Sequence, residues 1–290
     1  LKKTVFNINK KIIFDKFKKN HDVLGEEYHD FSGDLIIIGS DEVFSTEVGI
    51  SDSFWGIKTK AKKVVSYAAS FGPTTLDDIH LKKESDFIIS ALTNFNSISV
   101  RDRNTQEIIN SLINYNPQIV CDPVILYGYK KEIKNNRIIK KKNYILLYSY
   151  DNNMNNPSEI EMIKNVANKM NLPVYSVGFY HKWCDKNINV DPIELIQYFN
   201  NAQFIITDTF HGSVISLITE SNFAVLVRNN SNKLYYLLEQ YNLTNRIFQN
   251  EVECFNILNT SINYEKVNEV IDIQRKESSL FLDTILNGIT

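Results

Sequence analysis

The sequence predicts an α/β protein of two halves, each built on a parallel sheet, with the two sheets facing a cleft. Three observations carry that prediction. Short apolar runs alternate with helix-patterned stretches along nearly the whole chain, the arrangement of β-α-β units whose right-handed crossovers make sheets parallel. Most of those runs end in a polar turn of Gly, Ser, Asp or Arg, as strands do where an open sheet binds ligands. Finally, 290 residues with 43% hydrophobic content suit two domains of ordinary size better than one large one.

In chain order, Ile8, Ile12, Ile13 and Phe17 predict a short lysine-studded helix lying on a domain surface. DLIIIGS (34–40) is the first clear strand, and Gly39-Ser40-Asp41-Glu42 follows it as a helix-start loop at a sheet edge. Ser40 and Asp41 are either site residues or caps. KVVSYA (63–68) is the next strand, and the small residues Ala69-Ser70-Phe71-Gly72-Pro73 leave room for a ligand at its end. Residues 77–94 read as one helix and 97–100 as a strand. Arg101-Asp102-Arg103 then forms a third polar turn. Arg101 there either points a planar fork of donors at a phosphate or carboxylate, or makes a surface salt bridge to Asp102 or Glu107. A further strand over 118–121 ends at Asp122-Pro123.

The second half repeats this grammar. Strands are predicted over 143–150 and 173–177, with helices over 157–170 and 192–199, each opened by a proline. FIITDTFHGSVISLI (204–218) then passes from a buried strand through a polar turn into a helix. Thr209 is a helix-start residue, Gly212 permits close approach, and His211 stands at the turn, where anionic ligands meet helix N-termini. It is either a ligand-facing group or a cap packed beneath the helix. A strand over 223–227 leads into a polar turn, Arg228 to Lys233, and a long helix closes the chain over 264–287. The expected domains are 1–128 and 143–262, with a linker at 129–142 and the terminal helix of 263–290 packing back on the first domain.

Charge and composition narrow the function. A net charge of −2 without a lysine-rich face argues against a nucleic-acid partner. The basic cluster of 130–142 reads first as a solvated linker and second as a patch for an acidic ligand. Three scattered cysteines, Cys121, Cys184 and Cys254, lack metal-ligand spacing and suit free thiols in a reducing compartment. No apolar run is long enough to span a membrane and no secretory leader is seen, so the expected location is cytoplasmic. The first residue, Leu1, suggests a start inside a longer gene product.

Six blocks, IIIGSDEVFS, VVSYAASFG, ISVRDRNTQEII, VCDPVILY, FIITDTFHGSVISLI and RNNSNKLYYLLEQYNLTNRIF, occur in this order and cover nearly the whole chain. Together the series resembles the bacterial polysaccharide pyruvyl transferase family. The resemblance implies two Rossmann-like domains facing a cleft in a GT-B-like arrangement, taking phosphoenolpyruvate and a saccharide acceptor. It also implies that the first domain here is N-terminally incomplete, because members usually carry a further βα segment with a glycine-containing loop. Two residues depart from the pattern: Thr209 stands where some members have arginine, and Glu42 where glutamine is frequent.

Phosphoenolpyruvate carries a carboxylate and a phosphate, so its site needs cations and helix N-termini more than a metal or cofactor, and neither is expected. Arg101, Arg228 and Lys233 are the candidate cations, with Ser40, Ser70, Thr209 and Gly212 as further substrate contacts. By the resemblance His211 is the general acid, and Asp41 orients the acceptor hydroxyls or acts as base. A lipid-linked acceptor would bring the enzyme to the inner face of the membrane, in peripheral association with the biosynthetic machinery. Two alternatives stay open. One is a sugar-nucleotide glycosyltransferase of GT-B type, although the ribose-binding glutamate expected at 219 is Thr219, and the one-residue displacement to Glu220 turns a helix face by about 100°. The other is a non-catalytic relative that kept the fold.

Overall fold

The structure, a computed structural model, describes residues 1–288 except Glu26, Asp30, Val48, 136–142 and 229–231. It divides into two compact units. One holds the first sheet and comprises Gly25–Tyr127, Asn230–Leu237 and Asn268–Thr290. The other holds the second sheet and comprises Leu1–Leu24, Gly128–Asn229 and Leu238–Val267.

Helix α1 (Lys2–Asn20) groups with the second sheet, not the first. The reason is its packing: Phe6 is buried with its ring 5.5 Å from that of Tyr180, and Asn189 Nδ2 donates to the Phe6 carbonyl at 2.8 Å. The inward face is therefore Phe6, Ile13 and Phe17, whereas Ile8 and Ile12 of the predicted apolar face are exposed.

The first-sheet unit contains β1 (Leu35–Ile38), β2 (Lys63–Ala69), α2 (Leu76–Leu81), α3 (Ser85–Thr93), β3 (Ser97–Val100), α4 (Arg103–Ile113), β4 (Gln118–Ile119) and α5 (Pro123–Tyr127). Its strands pair in the order β1-β2-β3-β4, all parallel, so the carboxyl ends of all four lie along one edge. Phe44, Trp55, Phe71, Ile88 and Ile109 fill the core, with Phe44 stacked on Trp55 at 4.8 Å. The single helix expected over 77–94 is two. Thr75 and Asp78 form a capping box that starts α2, and Lys83, in the left-handed region at φ 57°, breaks the helix before α3.

The second-sheet unit continues with α6 (Lys130–Lys134), β5 (Ile145–Tyr148), α7 (Pro157–Met170), β6 (Val174–Val177), β7 (Lys186–Ile188), α8 (Pro192–Asn201), β8 (Phe204–Thr207), α9 (Phe210–Ile218) and β9 (Phe223–Val225). The start of the expected linker is thus helical, while 136–142 lie outside the described residues. Its five strands are parallel in the order β7-β6-β5-β8-β9. β5 and β8 lie at the centre, and their apolar residues Ile145, Leu146, Leu147, Ile205 and Ile206 are fully buried, as the apolar runs require. From β5 the chain proceeds to one side through β6 and β7, then returns to the other side with β8. The β5–β8 junction is therefore a topological switch point, where the connections diverge and leave a crevice at the carboxyl ends.

Helices α10 (Asn232–Gln240), α11 (Glu251–Leu258) and α12 (Tyr264–Asn287) complete the chain. The start of α12 groups with the second sheet, where Tyr264 Oη donates to the Ser221 carbonyl at 2.5 Å. From Asn268 it groups with the first: Arg275 Nε donates to the Ile125 carbonyl at 2.7 Å, and Ser278 Oγ accepts from the Cys121 amide at 2.9 Å. Among the described residues, no helix is long and apolar enough to cross a membrane.

Candidate active site

Each sheet presents one polar edge. At the first, the turns after β1, β2 and β3 are sewn together by the backbone. The Ser70 amide donates to the Asp41 carbonyl at 3.0 Å, Phe44 to Ser70 at 3.1 Å, and Arg101 to Ala69 at 3.3 Å. Asp41 is held at φ 71°, a left-handed conformation that aspartate tolerates better than most residues. Ser40 lies beside it, half-buried.

Arg101 is the centre of this edge, and it is not on the surface. Its side chain is 1% exposed; Nη2 donates to Asp41 Oδ1 at 2.7 Å and Nη1 to Asp122 Oδ2 at 3.2 Å. Neither Asp102 nor Glu107 is its partner in these pairs, because Asp102 has another task. Its Oδ1 caps α4 by accepting from the Thr105 amide at 2.8 Å, and its Oδ2 accepts from Ser70 Oγ at 2.6 Å. Ser70 Oγ in turn accepts from the Gly72 amide at 2.9 Å, so this fully buried hydroxyl braces the loop after β2 from inside. Of the three acids, Asp41 reaches solvent, with its side chain 57% exposed, whereas Asp122 is 2% exposed.

Lys233 belongs to this edge too. The sequence puts it with Arg228, but it falls in the first-sheet unit, where its ammonium pairs with the carboxylate of Glu42. Glu42 lies over Gly72, where an added Cβ would come 2.6 Å from the Glu42 Cδ and where φ is 60°, a conformation that strains any side chain.

At the second edge, the strand-to-helix turn carries His211. Thr207 Oγ1 donates to the Tyr148 carbonyl at 2.6 Å, tying β8 to β5, and accepts from the Thr209 amide at 3.1 Å. Thr209 is the N-cap of α9, its hydroxyl accepting from the Gly212 amide at 2.9 Å. Gly212 is required by packing within the protein: a Cβ would lie 2.1 Å from Thr207 Oγ1. These bonds hold the first turn of α9 hard against the strand. His211, its second residue, is left half-buried beside Phe210, with the two rings 5.4 Å apart and nearly perpendicular.

Asp208 and Arg228 are the ion pair of this edge. Arg228 Nε donates to Asp208 Oδ2 at 2.6 Å and Nη1 to Glu159 Oε1 at 2.9 Å. Burial works against the Arg228 charge, but the bonds to Glu159 and Asp208 outweigh it and raise its pKa above the ordinary arginine value. Three polar atoms here are buried and have no hydrogen-bond partner among the described residues: Asp208 Oδ1, Arg228 Nη2 and Ser149 Oγ. Ser149 and Asp208 immediately follow the paired residues Tyr148 and Thr207, so they flank the switch point of the sheet. Tyr150 and Phe179, from the ends of β5 and β6, add an aromatic wall with rings 5.4 Å apart, and Tyr150 is 54% exposed.

Of the residues singled out from the sequence, Ser40, Asp41, Ser70, Arg101 and Lys233 thus share the first unit, and Thr209, His211, Gly212 and Arg228 share the second. Asp122, Glu159 and Ser149 carry no site reading in the sequence, and Asp208 reads there only as a helix-start residue. Asp208 had a usable signal, since a strand-end acid and a strand-end arginine on neighbouring parallel strands are placed to pair.

One family model, described as polysaccharide pyruvyl transferase, matches residues 2–230. No curated protein matches the sequence significantly. Solved structures with a related chain path include a putative UDP-N-acetylglucosamine 2-epimerase from Listeria monocytogenes at 11% identity and TM-score 0.49, covering 82% of this chain and 68% of that one. The S. aureus MnaA–UDP structure matches at 13% identity and TM-score 0.49, again covering 82% and 68%. An O-GlcNAc transferase variant from Thermobaculum terrenum matches at 10% identity and TM-score 0.41, covering 85% of this chain, which spans about half (49%) of that enzyme.

Proposed function

We propose, for a chain that belongs to the polysaccharide pyruvyl transferase family, that it moves a pyruvyl group from phosphoenolpyruvate to a saccharide as a cyclic ketal, in the biosynthesis of a cell-surface polysaccharide. Protonation of the donor's methylene carbon makes an oxocarbenium-like centre. One sugar hydroxyl attacks it and its proton leaves with the departing phosphate; a second hydroxyl then closes the ketal, and its proton restores the general acid. His211 gives the proton to carbon. Arg228 meets the donor's negative charge near the N-terminus of α9, whose dipole favours anions. Asp41, gripped by Arg101 and open to solvent, orients the acceptor hydroxyls, while Arg101 and Lys233 supply the cationic background of their edge.

The observation that carries this reading is the position of His211: the first turn of an anchored helix, half-buried, at the polar edge of a sheet whose switch point holds unused hydrogen-bonding atoms. The same region speaks against a ribose contact from the end of α9. Thr219 is buried and donates to the Ile215 carbonyl at 2.8 Å, and Glu220 lies beyond the helix at φ 51°. The test is incubation of the protein with phosphoenolpyruvate and a panel of lipid-linked and aryl glycosides. Acceptor-dependent phosphate release, with a product heavier by one pyruvyl ketal, is expected. Sugar transfer from a nucleotide sugar without any phosphate release from phosphoenolpyruvate would overturn the reading.

A further inference from the structure

We infer that the outward face of α1 is a docking surface for an anionic phospholipid membrane. The helix is fastened by its other face. Phe6 is 8% exposed, the Lys10 ammonium sits 4.4 Å from the centroid of the Phe179 ring, and Lys3 pairs with Asp151 at 3.1 Å. That accounts for the inward lysines and leaves a second apolar set pointing away from the unit. Val5, Ile8 and Ile12 are 50%, 56% and 60% exposed. At about 100° per residue they fall within an arc of about 60°, a stripe along the helix.

The charges around the stripe identify what covers it. Helix α1 contains seven lysines and one acid, Asp15. Lys16 and Lys19 prolong the stripe beyond Ile12, Lys11 and Lys18 line one side and Lys2 the other, all of them exposed. Beside the stripe runs a groove of about 540 Å³ whose walls include Lys2, Val5, Phe6, Ile12, Ile13 and Tyr180. An aliphatic centre with a basic rim matches the boundary between acyl chains and anionic headgroups. Isoleucine and valine enter the acyl region while lysine stems lie along it and their ammonium groups reach phosphate. A second copy of the chain meeting this face with its own would set lysines against lysines. Nucleic acid would neutralise the lysines and gain nothing from the aliphatic stripe.

The experiment is co-sedimentation of the full chain with vesicles of equimolar phosphatidylglycerol and phosphatidylcholine, against vesicles of phosphatidylcholine alone. The wild type should pellet with the first, stay in solution with the second, and be released by high salt. Two double variants lie wholly on the solvent side, and circular dichroism checks their fold: Ile8→Ser with Ile12→Ser removes the stripe, and Lys11→Glu with Lys18→Glu reverses the rim. Each should weaken partition about tenfold or more. A wild type that stays in the supernatant with anionic vesicles overturns the proposal, as does binding that is indifferent to the lysine reversal. So does a dimer, seen by light scattering, that the isoleucine variant dissociates. Phosphate release is measured without vesicles, so this surface and the pyruvyl-transfer reading stand or fall separately.

Discussion

The two sheet edges use the same materials differently. At the first, one arginine is buried between two carboxylates; the fully buried Asp102 and Ser70 satisfy each other and the neighbouring amides. At the second, Arg228 is 32% exposed, and its pair with Asp208 leaves Oδ1, Nη2 and the nearby Ser149 hydroxyl without partners among the described residues. The Asp102–Ser70 network is satisfied within the protein and rigidifies the loops it joins, whereas unmatched buried polar atoms cost stability. On the proposed reading, Asp102 and Ser70 are scaffold for the first edge, Asp41 is its outlet to ligand, and the surroundings of Arg228 take the donor.

Replacing Arg101 should therefore do the largest damage to the fold. Arg101→Met strands Asp122, 2% exposed, without its countercharge, at a cost of roughly 3–5 kcal/mol. That is a large share of the stability of an ordinary domain. Urea unfolding is the measurement. Adding Asp122→Asn removes the stranded charge while keeping a side-chain oxygen for the Val124 amide, now bonded at 2.9 Å, and should recover much of the loss. If Arg101→Met unfolds like the wild type, the first edge is not a scaffold.

His211→Ala tests the other side of the comparison. The residue is half-buried in the first turn of α9, whose cap is Thr209 and not His211, so the unfolding midpoint should hold. Loss of a general acid should lower turnover by about 10²–10⁴. Near-normal phosphate release from phosphoenolpyruvate at neutral pH would remove His211 from the mechanism.

These two edges also differ in how legible they were in the sequence. The strands, the turn at 208–212 and α9 could be read because apolar runs and caps are local, and each occupies a few adjacent residues. Arg101 could be read as a strand-end arginine but not as a buried one, because its partner Asp122 arrives only through the β3–β4 pairing. The same holds for Lys233, which a local reading joins to Arg228 but which pairs with Glu42, far away in the chain. The unbroken helix expected over 77–94 failed on a single left-handed residue, Lys83, whose side chain does not announce that conformation. On α1 the two apolar sets were merged, since a helical pattern gives the arcs and only packing shows which arc is inside.

The smallest expected effect is the sharpest test of the second edge. Ser149 is fully buried at the switch point with its hydroxyl unmatched, so in the free protein that group is a desolvation cost with no bond in return. Removing it in Ser149→Ala should leave stability unchanged or raise it by up to about 1 kcal/mol, the opposite of the usual result for a buried serine whose hydroxyl is bonded. If the hydroxyl is kept for a substrate oxygen, the same variant should show a higher KM for phosphoenolpyruvate or acceptor, with kcat little changed, because a contact made equally in ground and transition states is lost. A more stable variant with weaker substrate binding is the combination that a scaffold residue cannot produce. A variant destabilised by more than about 1 kcal/mol would mean that Ser149 does have a structural partner, and would place both edges in the same class.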